Sequence, residues 1–395
     1  MKKKYLFAGL FSLIFLITAC DDNPSGAGSS VIPATDAVTS KTLETDSLPF
    51  TFEIIQKSVV KSGLEYFLLG RHNNEEAVGI IKFSGFPDTL ANATVISADI
   101  VLFPSNYSLG DNSSFGISVH RITSSWSVVS PGNAWVNGPI YNKTAEGSFS
   151  GAIIDTQAVY IPLSTTLVKD WLYYASDVSK ANFNQGVTLI AKSNSNCTRL
   201  FYSMDNDDYT DNSKDPYLRI IKELNGKRDT LLVAPEEDSY YAFSKNFSTS
   251  NSDDFVMQSG VSYRTKLKFD VSRIPQHAHI SNATLTLTLN SAESIIGNNS
   301  TDSLGTTAFQ YNSAGAVTGE YNIIGYPAIE NGNKVYVINF TLFVQGWINK
   351  WTNEGMEIFH LGELYSLDQL SFYSNKHFDV SKRPKIKVTY LTLPN

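Results

Sequence analysis

The residues best suited to chemistry are aromatic rings set among polar neighbours. Trp126 closes the run Thr123-Ser124-Ser125-Trp126, and Trp135 precedes the turn Asn137-Gly138-Pro139. A flat ring held in such a loop can stack on the apolar face of a sugar while nearby hydroxyl and amide groups bond the sugar hydroxyls. Trp126, Trp135 and Tyr141 are therefore candidates for a glycan platform. The same rings could instead cap the end of a core, because large aromatics dominate burial. A second candidate is the oxygen-rich run Asp205-Asn206-Asp207-Asp208-Tyr209-Thr210-Asp211-Asn212. Ca²⁺ takes about 6–8 oxygen ligands, which Asp205, Asp207, Asp208 and Asp211 could begin to supply. The run lacks the glycine of an EF-hand loop, and a solvated hairpin tip is the alternative. Structural Ca²⁺ is the only cofactor the residues suggest. His277 and His279 would share one side of an extended segment, but no third ligand lies near them, as zinc would require; a surface turn after Pro275 is the simpler expectation. No nucleophile elbow, P-loop, dinucleotide fingerprint or His-Glu-x-x-His is present, so no motif requires catalysis. The chain is expected not to be an enzyme.

The formal charge of the 395-residue chain is −7, and it falls to −10 without Lys2, Lys3 and Lys4. An acidic exterior disfavours nucleic acid and anionic lipid surfaces as partners. The cysteines are Cys20 and Cys197, which leaves no disulfide framework once Cys20 is assigned below. Cys197 is expected to be a buried small hydrophobe.

The N-terminus carries three lysines, an apolar run from Tyr5 to Ile17, then Thr18-Ala19-Cys20 and the acidic pair Asp21-Asp22. A positive start, a short apolar stretch and a small residue before the cut make a secretory signal, here residues 1–19. Leu16-Ile17-Thr18-Ala19-Cys20 resembles the lipobox of bacterial lipoproteins. That resemblance implies acylation of the Cys20 thiol, cleavage before it, and a membrane as partner through the lipid anchor. Asp21 resembles an inner-membrane retention signal of some Gram-negative bacteria, and in other lineages an acidic stretch beside the acylated cysteine resembles a surface-export signal; the outer membrane or the cell surface is the expectation. Residues 20–46 contain no aromatic ring and are expected to be a flexible tether spanning roughly 25–30 Å.

Strand patterns follow from about Phe50 onward. Leu267, Phe269 and Val271 alternate with polar residues, as do Leu285, Leu287 and Leu289, and again Ile386, Val388 and Tyr390; period-2 alternation marks half-buried antiparallel strands. Leu167, Val168, Trp171 and Leu172 have helical spacing instead, as do Phe343, Val344, Trp347, Ile348 and Trp351. The chain also repeats itself. Phe83 with Phe86-Pro87 and the run 93–102 matches Phe269 with Ile274-Pro275 and the run 278–287. Tyr160 precedes Trp171 as Tyr336 precedes Trp347. Asn184-Gln185-Gly186 answers Asn353-Glu354-Gly355, and Phe201-Tyr202-Ser203 answers Phe372-Tyr373-Ser374. Two homologous units of about 165–175 residues are expected, covering 47–224 and 228–395 and meeting at the polar turn near Asn225-Gly226.

These blocks resemble the DNRLRE-type domains of secreted bacterial proteins. The resemblance rests on Phe269-Asp270, the run Ile280 to Leu287, Trp347, Gly355 and Arg383-Pro384 in the second copy, and on Val119-His120-Arg121-Ile122-Thr123-Ser124-Ser125-Trp126, Trp135 with Asn137-Gly138-Pro139, and Trp171 in the first. The first copy has Asp215 where the closing arginine is usual, and the second lacks both mid-domain tryptophans. The resemblance implies β-sandwiches related to the TGF-β propeptide fold, some of whose relatives are carbohydrate-binding modules. The expectation is an all-β chain of two tandem antiparallel, jelly-roll-like β-sandwich domains, each with one short helix. On this reading it is a lipid-anchored envelope protein that binds extracellular polysaccharide or another surface component, such as an envelope protein, without catalysis. A structural or adhesive spacer is the alternative, and a polysaccharide-degrading enzyme a third reading.

Overall fold

The computed structural model describes residues 39–44, 49–57, 59, 61–127, 138–205, 214–245, 254–349 and 351–392. The chain is all-β. Among the described residues, twelve strands form one curled antiparallel sheet and eleven form another. Each sheet closes over its own core. One core gathers Phe67, Ile100, Phe115, Ile161, Val187 and Phe201; the other gathers Phe255, Leu267, Leu285, Ile338, Ile358 and Phe372. Two β-sandwiches result, as the alternation implied, and the inward positions Leu285, Leu287, Leu289, Ile386, Val388 and Tyr390 are all buried.

Each sandwich carries one α-helix on its rim. Thr165–Ala175 starts at Ser164, whose hydroxyl accepts from Leu167 N at 3.4 Å, and buries Leu167, Val168, Trp171 and Leu172. Thr341–Asn349 buries Phe343, Val344, Trp347 and Ile348. Trp351 follows that helix, half-buried, with its ring 4.3 Å from that of Tyr321.

The repeat has a physical cause that is visible in both halves. Asn184 Nδ2 donates to Phe83 O at 2.7 Å while its Oδ1 accepts from Gly186 N at 3.1 Å. Asn353 Nδ2 donates to Phe269 O at 2.6 Å while its Oδ1 accepts from Gly355 N at 3.1 Å. The asparagine thus closes its own turn and ties it to the end of a neighbouring strand. Each glycine has a positive φ, +76° and +84°, and a Cβ there would lie 2.3 Å from Ile81 O or 2.2 Å from Leu267 O. Only glycine meets both demands.

Strand pairing departs from the expected division of the chain. Thr39–Glu44 pairs along Lys385–Thr392, and Phe50–Gln56 along Tyr263–Phe269. The first arm of the chain therefore completes the second sandwich, where Phe50, Phe52 and Leu43 join its core. Reciprocally, Pro235–Ser244 pairs along Glu75–Phe83 in the first sandwich, and Lys227–Val233 along Tyr217–Leu224. Two expectations are corrected. Residues 39–44, assigned to the tether, are an edge strand, because Leu43 finds an apolar face and Thr42 Oγ1 meets Thr389 Oγ1 at 3.1 Å. The Asn225-Gly226 turn is a hairpin inside one sheet: both residues have positive φ, +54° and +74°, which is the conformation a tight two-residue hairpin needs.

The sandwiches also share a core across their boundary. Val261 and Leu367 of the second half are buried in the first core, with Tyr365, Tyr263 and Ile295 packed beside them. Tyr240 Oη donates to Leu364 O at 2.5 Å, and Ser108 bridges Asn298 in a strand-like contact.

Candidate functional site

A cleft of about 170 Å³ opens where the two sandwiches meet. Its first wall comes from Tyr66, at the start of a strand, and from Ser105, Asn106 and Tyr107 on the strand Pro104–Gly110. Its second wall comes from the loop Asn299-Ser300-Thr301 and from the turn bearing Tyr365 and Ser366. The Tyr66 and Tyr365 rings meet edge to face across the boundary at 5.8 Å. Asn299 has φ +55°, a left-handed conformation that asparagine tolerates, and its Nδ2 donates to Asn106 O at 2.9 Å.

The floor is held by a buried carboxylate. Asp368 is fully enclosed. It accepts from Tyr107 Oη at 2.9 Å, from Gly297 N at 2.9 Å and from the Ser300 hydroxyl. Tyr107 Oη in turn accepts from Leu367 N at 2.9 Å. Burial first, and then the Asp368 charge, push the Tyr107 hydroxyl well above the usual range, so it stays protonated and keeps donating. A buried charge is tolerable only when hydrogen bonds satisfy it, and this one clamps three segments from both sandwiches.

His360 stands behind the second wall. Its Nδ1 lies 2.7 Å from Ser259 Oγ and 3.4 Å from Ser366 Oγ, and its Nε2 lies 2.6 Å from Thr301 O. A carbonyl can only accept, so Nε2 carries a hydrogen and donates it to Thr301 O. Both hydroxyls are buried, and Ser366 Oγ also meets Gly362 O at 3.0 Å. The imidazole thereby fastens the turn that carries Tyr365 and Ser366.

The cleft surface offers tyrosine faces and edges, hydroxyls and amides, and among the described residues no charged side chain lines it. That chemistry fits a neutral polyhydroxylated ligand. The volume is below the ~300–1,000 Å³ of most small-molecule sites.

The sequence-derived candidates lie elsewhere. Trp126 is half-buried, its Nε1 donates to Gln185 O at 2.6 Å, and it packs against a small cluster of Val78, Ile80, Ile122 and Tyr241. Tyr141 has the His120 ring at 5.4 Å and the Lys143 ammonium 4.1 Å above its face. Trp135, Asp207, Asp208, Asp211 and Cys20 fall outside the described residues. Asp205 N donates to Ser203 Oγ at 3.0 Å, and its carboxylate is near buried Asp238. Burial, with the Asp205 and Asp215 charges, pushes Asp238 up to about 7, against the Met204 N–H that donates to it at 2.8 Å. Among the described residues no group of three or more His, Cys, Asp or Glu side chains could hold a metal ion. His277 is exposed on the turn after Pro275, whereas His279 is exposed at the start of the strand His279–Thr288. Cys197 is buried, and burial pushes its thiol up to about 11.

The cleft was not visible in the sequence because its walls come from segments far apart in the chain. The one local signal was the polar run Asn298-Asn299-Ser300-Thr301, which resembles any solvated loop.

No protein-family profile matches the chain, and no curated protein matches it. Among solved structures, one of infectious bursal disease virus, Gx strain, is 10% identical over 89% of this chain and 77% of the other, with a TM-score of 0.13. A mutant VP2 protein of the same virus, in derived T=1 particles, is 8% identical over 90% of this chain and 73% of the other, with a TM-score of 0.11.

Proposed function

We propose that the chain is a lipid-anchored cell-envelope protein that binds a neutral extracellular polysaccharide without catalysis, at the cleft between its sandwiches. The observation that carries this reading is the uncharged lining of tyrosines, hydroxyls and amides, held in place by the Asp368 clamp. Preorganised aromatic and amide groups of this kind recognise sugars at little ordering cost. The lipobox-like segment ending at Cys20 and the resemblance to carbohydrate-binding relatives support the same reading. A second reading, a rigid structural or adhesive spacer, is favoured by the reciprocal exchange of arms between the sandwiches.

A glycan array probed with residues 21–395 tests the proposal. Neutral polysaccharides should bind, and Asn106→Ala should weaken binding at least tenfold at an unchanged melting temperature, because its side chain is exposed; Asn299→Ala should weaken binding as much but also lower the melting temperature, since it loses the bond to Asn106 O and places alanine at φ +55°. Binding that survives both substitutions would move the site away from the cleft. Absence of any glycan binding would leave the spacer reading.

A further inference from the structure

The chain-wide charge is acidic, yet one loop of the second sandwich has the opposite character. Phe378 is 86% exposed and Val380 66% exposed, at the apex of the turn between the strands Gln369–Tyr373 and Lys385–Thr392. Lys376, Lys382 and Arg383 flank them, and Lys385 and Lys387 follow on the outer positions of the next strand. The apex is built rather than frayed. The His377 ring lies 4.4 Å from that of Tyr373 and 4.5 Å from that of Phe378. Arg383 Nε donates to His377 O at 2.6 Å. Asp379, the one acid of the loop, accepts from Ser381 N at 3.0 Å and from Ser381 Oγ at 2.7 Å, so it caps the turn. On the strand, Lys385 reaches Glu330 at 3.5 Å and Lys387 stands opposite Glu44. The basic groups nearest the apex are therefore Lys376, Lys382 and Arg383.

We infer that this loop is a wedge that enters the headgroup layer of a bilayer bearing anionic lipids. An exposed aromatic and a branched aliphatic side chain, ringed by lysine and arginine, match such a surface in both of its terms. The apolar pair leaves water, and the cations meet headgroup charge while their stems lie along the acyl boundary. The attachment of the chain allows it. Eighteen residues, 21–38, separate Cys20 from Thr39, and they can extend to about 60 Å. Thr39 lies opposite Thr392, one strand length of roughly 25 Å from the loop. A tether of that reach lets the second sandwich set its loop on the membrane that holds the anchor. One lipid-directed contact binds only marginally and two bind lastingly, so the wedge would fix the orientation of the body. The inference is independent of the cleft and of its ligand.

The test uses residues 21–395, without lipid, and sedimentation with vesicles of phosphatidylcholine alone or with about a third phosphatidylglycerol. The expected result is binding to the anionic vesicles, weakened at least tenfold by raising the salt from 0.05 to about 0.5 M, where charges are screened. Phe378→Asp with Val380→Asp should reduce binding at least tenfold, as should Lys376→Glu with Lys382→Glu. The side chains of Phe378 and Val380 project into solvent, so the first pair should leave the melting temperature unchanged. In a Phe378→Cys variant, an environment-sensitive dye on that thiol should shift to the blue on anionic vesicles, since Cys197 is buried. No binding of the unmodified chain to either vesicle would overturn the inference, as would equal binding to both or an unshifted dye on bound protein.

Discussion

Residues 228–395, produced alone, should not fold as a cooperative monomer. The perturbation removes more than a neighbour. Without the first arm, the second core loses Phe50, Phe52 and Leu43, and the strand Tyr263–Phe269 loses its partner along Phe50–Gln56. The fragment also exposes Val261 and Leu367, which are buried in the first core, and Tyr240, whose strand pairs with Glu75–Phe83. Full burial of such a side chain contributes about 1.5–3 kcal/mol. Six of them, several only partly enclosed, account for roughly 10 kcal/mol, which is comparable to the ~5–15 kcal/mol total stability of a domain. Circular dichroism against urea should therefore show a shallow, non-cooperative loss of signal for the fragment. A synthetic peptide of residues 36–57 added in excess should restore a cooperative transition, because it supplies both missing strands. A fragment that pairs its own homologous arm with a second copy would sediment as a dimer, again through strand exchange. A monomeric fragment that unfolds cooperatively, with a melting temperature near that of the whole chain, would refute the reasoning.

Two further outcomes follow from individual residues. Asp238 has its folded-state value raised to about 7 by burial, so the stability its neutral form provides is complete below the unfolded value near 4 and is lost as pH rises through about 7. Asp238→Asn keeps an acceptor for Met204 N and should raise the unfolding free energy from urea titration at pH 8 by an amount on the order of 2–4 kcal/mol, with little gain at pH 4; equal effects at both pH values would exclude the buried carboxylate as the cause. Gly355→Ala places a methyl 2.2 Å from Leu267 O at a φ of +84° and should cost more than about 2 kcal/mol in thermal or urea unfolding, whereas Gly226→Ala, with open space around it, should cost only about 1 kcal/mol from its positive φ.

Much of the fold was legible because its causes are local. Alternation at Leu285, Leu287 and Leu289 marks a strand with one wet face, and the stripe Phe343, Val344, Trp347 and Ile348 marks a helix with one buried face; both periods come from backbone geometry alone. The repeated Asn-x-Gly was legible for the same reason, since its hydrogen bonds and its glycine serve a single turn. Pairing between distant strands has no local signature. Phe50–Gln56 would satisfy any exposed edge of suitable pattern, and Asn225-Gly226 has the residues of a linker as well as those of a hairpin. Only the assembled sheets decided that each arm crosses to the other sandwich, where Phe50 on one arm and Tyr240 and Tyr241 on the other become buried. The cleft was decided at the same level. Tyr66, Asn106, Asn299 and Tyr365 are unremarkable residues in four separate segments, and they form a surface only because Leu367 and Val261 draw the two cores together.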